Sequence, residues 1–274
     1  MEKAIPNVLT IAGVDPSGGA GVLADVKVMS ALGCYATAVI AALTAQNTQA
    51  VTGVLPVEPA FVTAQLDTLF ADVRIDAVKI GMVGQSPVIR AVADALRKYR
   101  PRWIVLDPVM VAKSGDKLLE DEAIAALKTE LLPLASVITP NLPEASVLLN
   151  REIGKYEEMR EAARDLHALC GGHTAIYLKG GHLTGSRAVD ILYDGATLRE
   201  YETVRTQTKN THGTGCSLSS AIASFLAKTG DLDAACGSAK AYIDEAIRAS
   251  GELTVGSGHG PIHHFVRLWP SATS

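Results

Sequence analysis

The chain has no run of like charges anywhere along its 274 residues. Its formal net charge is -4 at pH 7, and its pI is about 6.0. A chain of this kind has no general electrostatic attraction to nucleic acid or to an anionic membrane. We therefore expect neither partner and predict that the protein acts on a small molecule.

Clustered cysteine and histidine are also absent. The four cysteines, Cys34, Cys170, Cys216 and Cys236, are scattered and form no CxxC pair. This pattern lacks zinc-binding spacings and predicts reduced thiols. The sequence also lacks a signal-peptide pattern before its first apolar run and any long uninterrupted apolar segment. These absences predict a cytoplasmic protein.

Three well-known catalytic motifs are missing as well. The sequence contains no GK[ST] triplet of a Walker-type P-loop, no HExxH metal-binding helix and no GxSxG nucleophile elbow. Any chemistry must therefore come from a different arrangement of residues.

What the sequence does contain is a regular alternation of strand-like and helix-like segments. Short apolar runs end in glycine or polar residues, and segments with apolar residues at helical spacing follow them. The two segments joined at Asp194 and Gly195 are expected to form a hairpin at the sheet edge. We predict strands over 8–12, 35–43, 51–57, 77–80, 103–106, 136–139, 175–178, 187–193 and 197–203, and helices over 22–32, 58–70, 87–99, 120–132, 156–169, 217–228 and 232–249.

This alternation predicts one α/β domain over residues 1–274, with a mostly parallel sheet covered by helices on both faces. Only the last few residues are expected to be disordered. In such sheets, ligands bind beyond the carboxyl ends of the strands. The residues at those predicted ends are polar or small, and we expect them to line one cleft: Gly13, Asp15, Gln46, Gly81, Met82, Asp107, Asn141, Glu144, Lys179, Gly180 and Gly181.

A glycine-rich stretch, KNTHGTGCS at 209–217, runs directly into a predicted helix. The backbone N–H groups of 213–217 are the first, unpaired donors of that helix, and they carry a partial positive charge. They would bind a phosphate or another anion, although a glycine-rich turn can also simply begin a helix. Cys216 lies within this expected anion site.

Together, the predicted cleft offers what phosphoryl transfer requires. The reaction depends on positioning and on electrostatic stabilisation of phosphate charge. Asp107 and Glu144 are the carboxylates expected to hold Mg²⁺, partly through water, since Mg²⁺ favours a few carboxylates plus nucleotide phosphates. Lys179 could reach phosphate oxygens. Each residue taken singly is also ordinary loop chemistry.

The motifs GVDPSGGAG (13–21), AQNT (45–48), KIGM (79–82), NLPE (141–144), KGGH (179–182) and THGTGC (211–216) resemble those of the hydroxymethylpyrimidine/phosphomethylpyrimidine kinases of thiamine biosynthesis. The resemblance spans nearly the whole chain. It implies a three-layer ribokinase-like fold, ATP and Mg²⁺, and two successive phosphorylations of 4-amino-5-hydroxymethyl-2-methylpyrimidine, to the monophosphate and then the diphosphate. The family likeness also suggests a homodimer.

Residue by residue, the resemblance implies three groups of site residues. Gln46 would pair with the pyrimidine, because an amide both donates and accepts hydrogen bonds. The remaining assignments place Asp25, Gly13, Met82 and Val109 at the substrate, Asn141, Glu144, Lys179, Thr211 and Thr214 at ATP, Asp107 and Glu144 at the metal, and Gly213, Gly215 and Cys216 in the catalytic anion hole.

Cys216 stands where sugar kinases and most pyridoxal kinases have an aspartate. A helix N-terminus can lower the pKa of a thiol, from about 8.5, into the neutral range. A thiolate could then accept the hydroxymethyl proton as a general base. The alternative is that Cys216 only orients the substrate while the proton passes to the transferred phosphate.

Other functions remain open at this stage. A pyridoxal kinase, or a side activity of that type, is the closest alternative, because both substrates are heteroaromatic and carry a hydroxymethyl group. A non-catalytic ligand-binding regulator is another, whereas a fused enzyme that also joins pyrimidine to thiazole would need more residues than 274. Loops at 113–116 and 206–210 are expected to close over the nucleotide.

Overall fold

The computed structural model of the protein describes residues 4–110 and 119–270. Nine strands form one sheet in the order β3-β2-β1-β4-β5-β6-β7-β8-β9. The strands are β1 (Asn7–Val14), β2 (Tyr35–Gln46), β3 (Val51–Pro56), β4 (Ala77–Ile80), β5 (Ile104–Leu106), β6 (Val137–Ile138), β7 (Ala175–Lys179), β8 (Arg187–Tyr193) and β9 (Leu198–Val204). The helices are α1 (Gly21–Ala31), α2 (Pro59–Asp72), α3 (Ser86–Tyr99), α4 (Asp121–Ala126), α5 (Leu142–Leu149), α6 (Tyr156–Leu169), α7 (Thr214–Thr229) and α8 (Leu232–Arg248).

The centre of the sheet is parallel and its edges are antiparallel. Strands β2, β1, β4, β5, β6 and β7 pair in parallel, whereas β3 pairs antiparallel with β2 at one edge. At the other edge, β8 and β9 form the predicted antiparallel hairpin beside β7. The predicted α/β class with a mostly parallel sheet is confirmed.

Two hydrophobic cores lie on opposite faces of this sheet. Leu9 and Ile11 of β1 pack with buried side chains of α2, α3, α5 and α6. Their neighbour Val8 packs on the other side with residues of α1, α7 and α8. Successive residues of a strand point to opposite faces, and a parallel strand buried on both faces therefore reads as a continuous apolar run.

The structure corrects two of the predicted helices and adds a third. The added helix is α5, whose first residues the sequence analysis places in a ligand-binding loop. The predicted helix over 120–132 is α-helical only to Ala126 and continues as a π-helical turn, Leu127–Leu131, and a 3-10 turn, Leu132–Leu134. Helix α7 begins at Thr214, three residues earlier than predicted.

Within the described residues, no helix has the length and apolar character required to cross a membrane. All four cysteines are free thiols, and three of them are buried. The predicted disorder of the last few residues concerns positions 271–274, which lie outside the described residues.

Helix α7 has a glycine in the left-handed backbone conformation at each end. Gly213 has φ +72° and Gly230 has φ +69°. Gly230→Ala is expected to cost about 1 kcal/mol of unfolding free energy from backbone strain alone. Gly213→Ala is expected to cost about 2 kcal/mol more, because the added Cβ would overlap the Gly19 carbonyl oxygen. Denaturant unfolding of both variants measures the difference, and equal costs would show that this contact relaxes freely.

Candidate active site

The carboxyl ends of the six parallel strands open along one edge of the sheet, with a crevice between β1 and β4, where the chain connections diverge. There the Gly13 N–H donates to the Met82 carbonyl oxygen over 3.1 Å. A methyl group built on Gly13 would lie 2.8 Å from Cε of Met82, so these two residues are closely packed. The predicted cleft residues stand at successive strand ends: Gly13, Gln46, Met82, Asp107, Asn141 and Lys179.

Lys179 lies between two buried carboxylates. Its Nζ is 2.9 Å from Oδ1 of Asp107 and 3.9 Å from Oε2 of Glu144. Burial alone would lower the pKa of Lys179, but the two carboxylates outweigh that effect and raise it. Burial raises the pKa of Glu144 to about 7, with Lys179 opposing and Asp107 adding to the rise. The structure thus brings together three of the residues predicted for metal and phosphate binding.

Asn141 and Glu144 form a capping box at the start of α5. The Glu144 N–H donates to Oδ1 of Asn141 over 2.8 Å, and the Asn141 N–H donates to Oε2 of Glu144 over 2.8 Å. The NLPE motif therefore has a structural role as well as its predicted ligand role. An Asn followed three residues later by Glu is a helix-start pattern, so this pair indicates α5 in the sequence. It fixes the Glu144 carboxylate beside Lys179.

The first turn of α7 closes the same side of the cleft. A methyl group built on Gly215 would lie 3.2 Å from Nζ of Lys179 and 3.5 Å from Oδ2 of Asp107. The Ser217 N–H already donates to the Gly213 carbonyl, over 2.9 Å. The Ser217 N–H is therefore not one of the unpaired donors predicted over 213–217, and the Thr214 N–H also has a partner, the Thr211 carbonyl at 3.4 Å. The Thr214 hydroxyl donates to the carbonyl of Thr211 over 2.8 Å, which joins two residues predicted for ATP.

A hydrogen-bonded pair ties this turn to the loop after β1. Nε2 of His212 lies 2.7 Å from Oδ2 of Asp15, which also accepts the Ser17 hydroxyl and the Ala20 N–H. Burial would raise the pKa of Asp15, but its hydrogen bonds to His212 and Ser17 lower it overall. The predicted anion turn is thereby held against the glycine loop that begins α1.

Cys216 is partly buried in the first turn of α7. Burial raises the pKa of its thiol, while nearby Lys79 and a hydrogen bond from the Gly21 N–H pull the pKa down less strongly. The predicted lowering of the Cys216 pKa by the helix N-terminus is therefore not found. The pKa is raised instead, because desolvation outweighs the favourable neighbours of the thiol.

Asp25, which the family resemblance places at the substrate, lies inside the protein. It is fully buried and accepts hydrogen bonds from Lys79 at 2.8 and 2.9 Å, Thr10 at 2.6 Å and Ser220 at 2.7 Å. Burial alone would lower the pKa of Lys79, but Asp25 outweighs it and the pKa is raised. This pair lies beneath Gly81, since a methyl group there would be 2.7 Å from Nζ of Lys79.

Lys79 lies next to this cleft, but the sequence analysis gives it no role of its own. The sequence does mark it, because Lys79 is the only charged residue of β4, a four-residue strand whose residues are all buried. A charged group inside an apolar strand needs a buried partner of opposite charge. That partner, Asp25, is 54 residues away in the sequence.

The residues predicted for the pyrimidine lie at the β1–β2–β4 side of the cleft. Gln46 ends β2 and is half-buried, with its Oε1 3.2 Å from the Thr44 hydroxyl. Met82 and Val109 are also half-buried. An amide held by one neighbour and open on its other side is available to a heteroaromatic ring.

The segment 256–261 after α8 crosses two loops of the cleft. The His259 N–H donates to the carbonyl of Thr48 over 2.9 Å, and the His212 N–H donates to the carbonyl of Gly260 over 3.0 Å. Of the two predicted lids, the loop 206–210 is tied through Asn210 to the Ser250 carbonyl at 3.1 Å. The other, 113–116, lies outside the described residues.

Comparison with known proteins assigns most of the chain to one family profile. The profile described as phosphomethylpyrimidine kinase matches residues 15–263. The hydroxymethylpyrimidine/phosphomethylpyrimidine kinase of Rhizobium meliloti (strain 1021) is 51% identical over 263 residues, which cover 95% of this chain and 97% of that protein.

Two solved structures show the same architecture. Phosphomethylpyrimidine kinase from Clostridium difficile 630 is 41% identical, with a TM-score of 0.79 over 88% of this chain and 99% of the other. Pyridoxal kinase of Bacillus subtilis, solved as an ADP complex, is 36% identical, with a TM-score of 0.88 over 97% of this chain and 100% of the other.

Proposed function

This chain belongs to the phosphomethylpyrimidine kinase family, and we propose that the cleft at its strand ends uses ATP to phosphorylate hydroxymethylpyrimidine and then its monophosphate. The predicted family, ribokinase-like fold and kinase activity in thiamine biosynthesis are confirmed. The family favours an enzyme over the non-catalytic regulator. The observation that carries the site assignment is Lys179, held between Asp107 and Glu144 against the first turn of α7.

The nucleotide end of the cleft is proposed to lie at Lys179 and α7. Lys179 supplies a mobile ammonium that can exchange its contact with Asp107 for contacts with phosphate oxygens. The N–H groups of the first turn, with Gly213 and Gly215 offering no side-chain obstruction, receive the transferring phosphoryl group. Asn141, Glu144, Thr211 and Thr214 complete the ATP-binding set.

Mg²⁺ is proposed to bind at Asp107 and Glu144. Both side chains are buried carboxylates beside the proposed phosphate position, which suits an ion that takes few protein ligands and several phosphate or water oxygens. Among the described residues, no three His, Cys, Asp or Glu side chains form a complete metal cage, in keeping with that mode of binding. When bound, Mg²⁺ supplies neutralisation of phosphate charge.

The pyrimidine end is proposed to lie at Gln46, with Gly13, Met82 and Val109 as its apolar walls. The half-buried amide of Gln46 would donate to and accept from the ring. Asp25, which we had placed at the substrate, is proposed instead to hold Lys79 beneath the cleft, because its carboxylate is fully buried and already accepts three donors.

Cys216 is proposed as the base for the first phosphorylation. In that step the hydroxymethyl oxygen attacks the γ-phosphorus, the bond to ADP breaks, and the hydroxyl proton moves to Sγ of the ionised thiolate form of Cys216. In the second step the acceptor is a phosphate, whose oxygens are already ionised near neutral pH, so that step needs no base. The two steps therefore differ in their dependence on this thiol.

The function is tested by ATP consumption with hydroxymethylpyrimidine, followed by product analysis for the mono- and diphosphate. Both products are expected. Because the pyridoxal kinase match is also strong, pyridoxal is proposed as a secondary substrate. Specificity is the ratio of kcat/KM values, so the same assay compares the pyrimidine, its monophosphate and pyridoxal. A larger kcat/KM for pyridoxal would reverse the order of the two substrates.

Gln46→Ala is expected to raise KM for hydroxymethylpyrimidine about tenfold or more, because two hydrogen bonds to the ring are lost. KM for ATP should stay unchanged. Gln49→Ala is the matched control, since the side chain of this exposed glutamine on the same loop donates to the Ser257 hydroxyl. Steady-state kinetics with both substrates measures the effect, and an unchanged pyrimidine KM and kcat would remove Gln46 from the site.

Cys216→Ser is expected to slow the first phosphorylation about a hundredfold while sparing the second. The thiolate is the active base and the pKa of Cys216 is raised, so the first step of the wild type should accelerate as pH rises into the alkaline range. The serine variant should lose that acceleration. Rates of each step from pH 6 to 10 provide the measurement. Near-wild-type turnover of the first step by Cys216→Ser would leave only an orienting role.

Glu144→Gln is expected to raise the Mg²⁺ concentration required for half-maximal rate. In the wild type, the carboxyl with pKa about 7 must lose its proton before it binds the ion, so the Mg²⁺ requirement should increase as pH falls below 7. The glutamine variant should lose this pH dependence but keep the capping box, since the Gln side-chain oxygen still accepts the Asn141 N–H. Chelation with EDTA should stop turnover in both proteins. A pH-independent Mg²⁺ requirement in the wild type would contradict this assignment.

The chain is also proposed to fold as one domain and to form a homodimer through β3. This edge strand exposes Val54 and Leu55, at 54% and 65%, and Phe61 at the start of α2 is 62% exposed. An unpaired edge with an apolar surface favours association with a second copy. Analytical ultracentrifugation should give twice the mass of the chain, and Leu55→Glu should halve it; a monomeric wild type would overturn the proposal.

A further inference from the structure

A buried carboxylate outside the proposed set, Asp190, is bonded to the backbone next to Lys179. Asp190 lies on β8 directly opposite Lys179 in the antiparallel register and is only 5% exposed. Its Oδ1 accepts the Gly180 N–H over 2.9 Å. Its Oδ2 accepts the Lys240 ammonium over 2.7 Å and the Tyr177 hydroxyl over 3.1 Å.

The backbone of Lys179 is fixed on both sides of the residue. Its own N–H donates to the Pro140 carbonyl over 2.9 Å, which joins it to the Asn141–Glu144 capping box. The next N–H, that of Gly180, is the one held by Asp190. A Cβ on Gly180 would overlap the Val189 carbonyl oxygen, so glycine is what allows β8 to approach this closely.

We propose that Asp190 is a positioning residue for nucleotide binding, because it holds the Lys179–Gly180 peptide and so keeps the Lys179 ammonium between Asp107 and Glu144. The inference rests on the proposed role of Lys179. Asp190 itself touches no proposed substrate position. An ionised acceptor makes a shorter and stronger hydrogen bond to an N–H than a neutral one, which suits a carboxylate here.

Lys240 and Tyr177 are the side-chain partners of the buried Asp190 carboxylate. Lys240 reaches it from α8, on the face of the sheet that also carries α7. A buried charge that loses its partner is costly, whereas removal of both charges together is tolerated far better. A variant that removes the charges of both Asp190 and Lys240 therefore tests the hydrogen bond from the Gly180 N–H without leaving an unpaired buried ion.

The test uses Asp190→Asn and the double variant Asp190→Asn with Lys240→Met. Both keep an Oδ1 acceptor but remove its charge, and the double variant also leaves no unpaired ammonium. Affinity for a non-hydrolysable ATP analogue is measured by calorimetry, and KM for hydroxymethylpyrimidine by kinetics. We expect nucleotide affinity to fall about five- to tenfold, with the pyrimidine KM unchanged. Glu202→Gln, an equal charge change at an exposed position on β9, is the control and should leave both unchanged.

Lys179→Met separates this proposal from the proposed role of Lys179. On its own it should weaken nucleotide binding, and Asp190→Asn should then cause no further loss, because Asp190 acts through Lys179. A purely structural role would instead give additive losses or a lower Tm alone. Unchanged affinity in the folded double variant, or additive losses with Lys179→Met, overturns the role of Asp190. Unchanged affinity in Lys179→Met overturns the role of Lys179 and this inference with it.

Discussion

Neutralisation of buried charge is the constraint on which this cleft depends. The sheet gathers Asp107 and Glu144 at one edge, and the ammonium of Lys179 lies between these two buried carboxylates. That ammonium is the least enclosed member of the group, at 14% exposure of its side chain. The arrangement is suited to an exchange of partners, in which an arriving anion and its cation replace internal contacts without a change in fold.

A second charge pair, Lys79 with Asp25, lies deeper and has no such freedom. Both side chains are fully buried, and two hydroxyl groups complete the carboxylate's hydrogen bonds. This fixed pair acts electrostatically on Cys216: Lys79 lowers the pKa of the thiol by more than Asp25 raises it. The two pairs therefore differ in access: the Lys179 side chain is 14% exposed, whereas Lys79 and Asp25 are completely enclosed.

The sequence predicted the cleft because parallel strands alternate with helices, so polar residues at strand ends must converge at one edge. It could not predict burial. The pKa of Cys216 is raised by burial, and the internal Asp25 is bonded to neighbours such as Ser220, 195 residues away from Asp25 in the sequence. Helix α5 was missed for a different reason: its capping box, Asn141 and Glu144, carries residue types that also bind ligands, and one pattern served both purposes.

The segment 256–261 ties together parts of the chain that are synthesised far apart in time. Thr48 accepts a hydrogen bond from the backbone of Gly258, 210 residues later, and His212 pairs with the backbone of Gly260. Domains fold as the chain emerges from the ribosome, beginning with its N-terminal part. The loops that carry Thr48 and His212 thus gain these contacts only after all of the sheet and its helices have been made. A nascent chain halted before this segment would contain every strand of the sheet and yet lack the hydrogen bonds that 256–261 makes to the loops at Thr48 and His212.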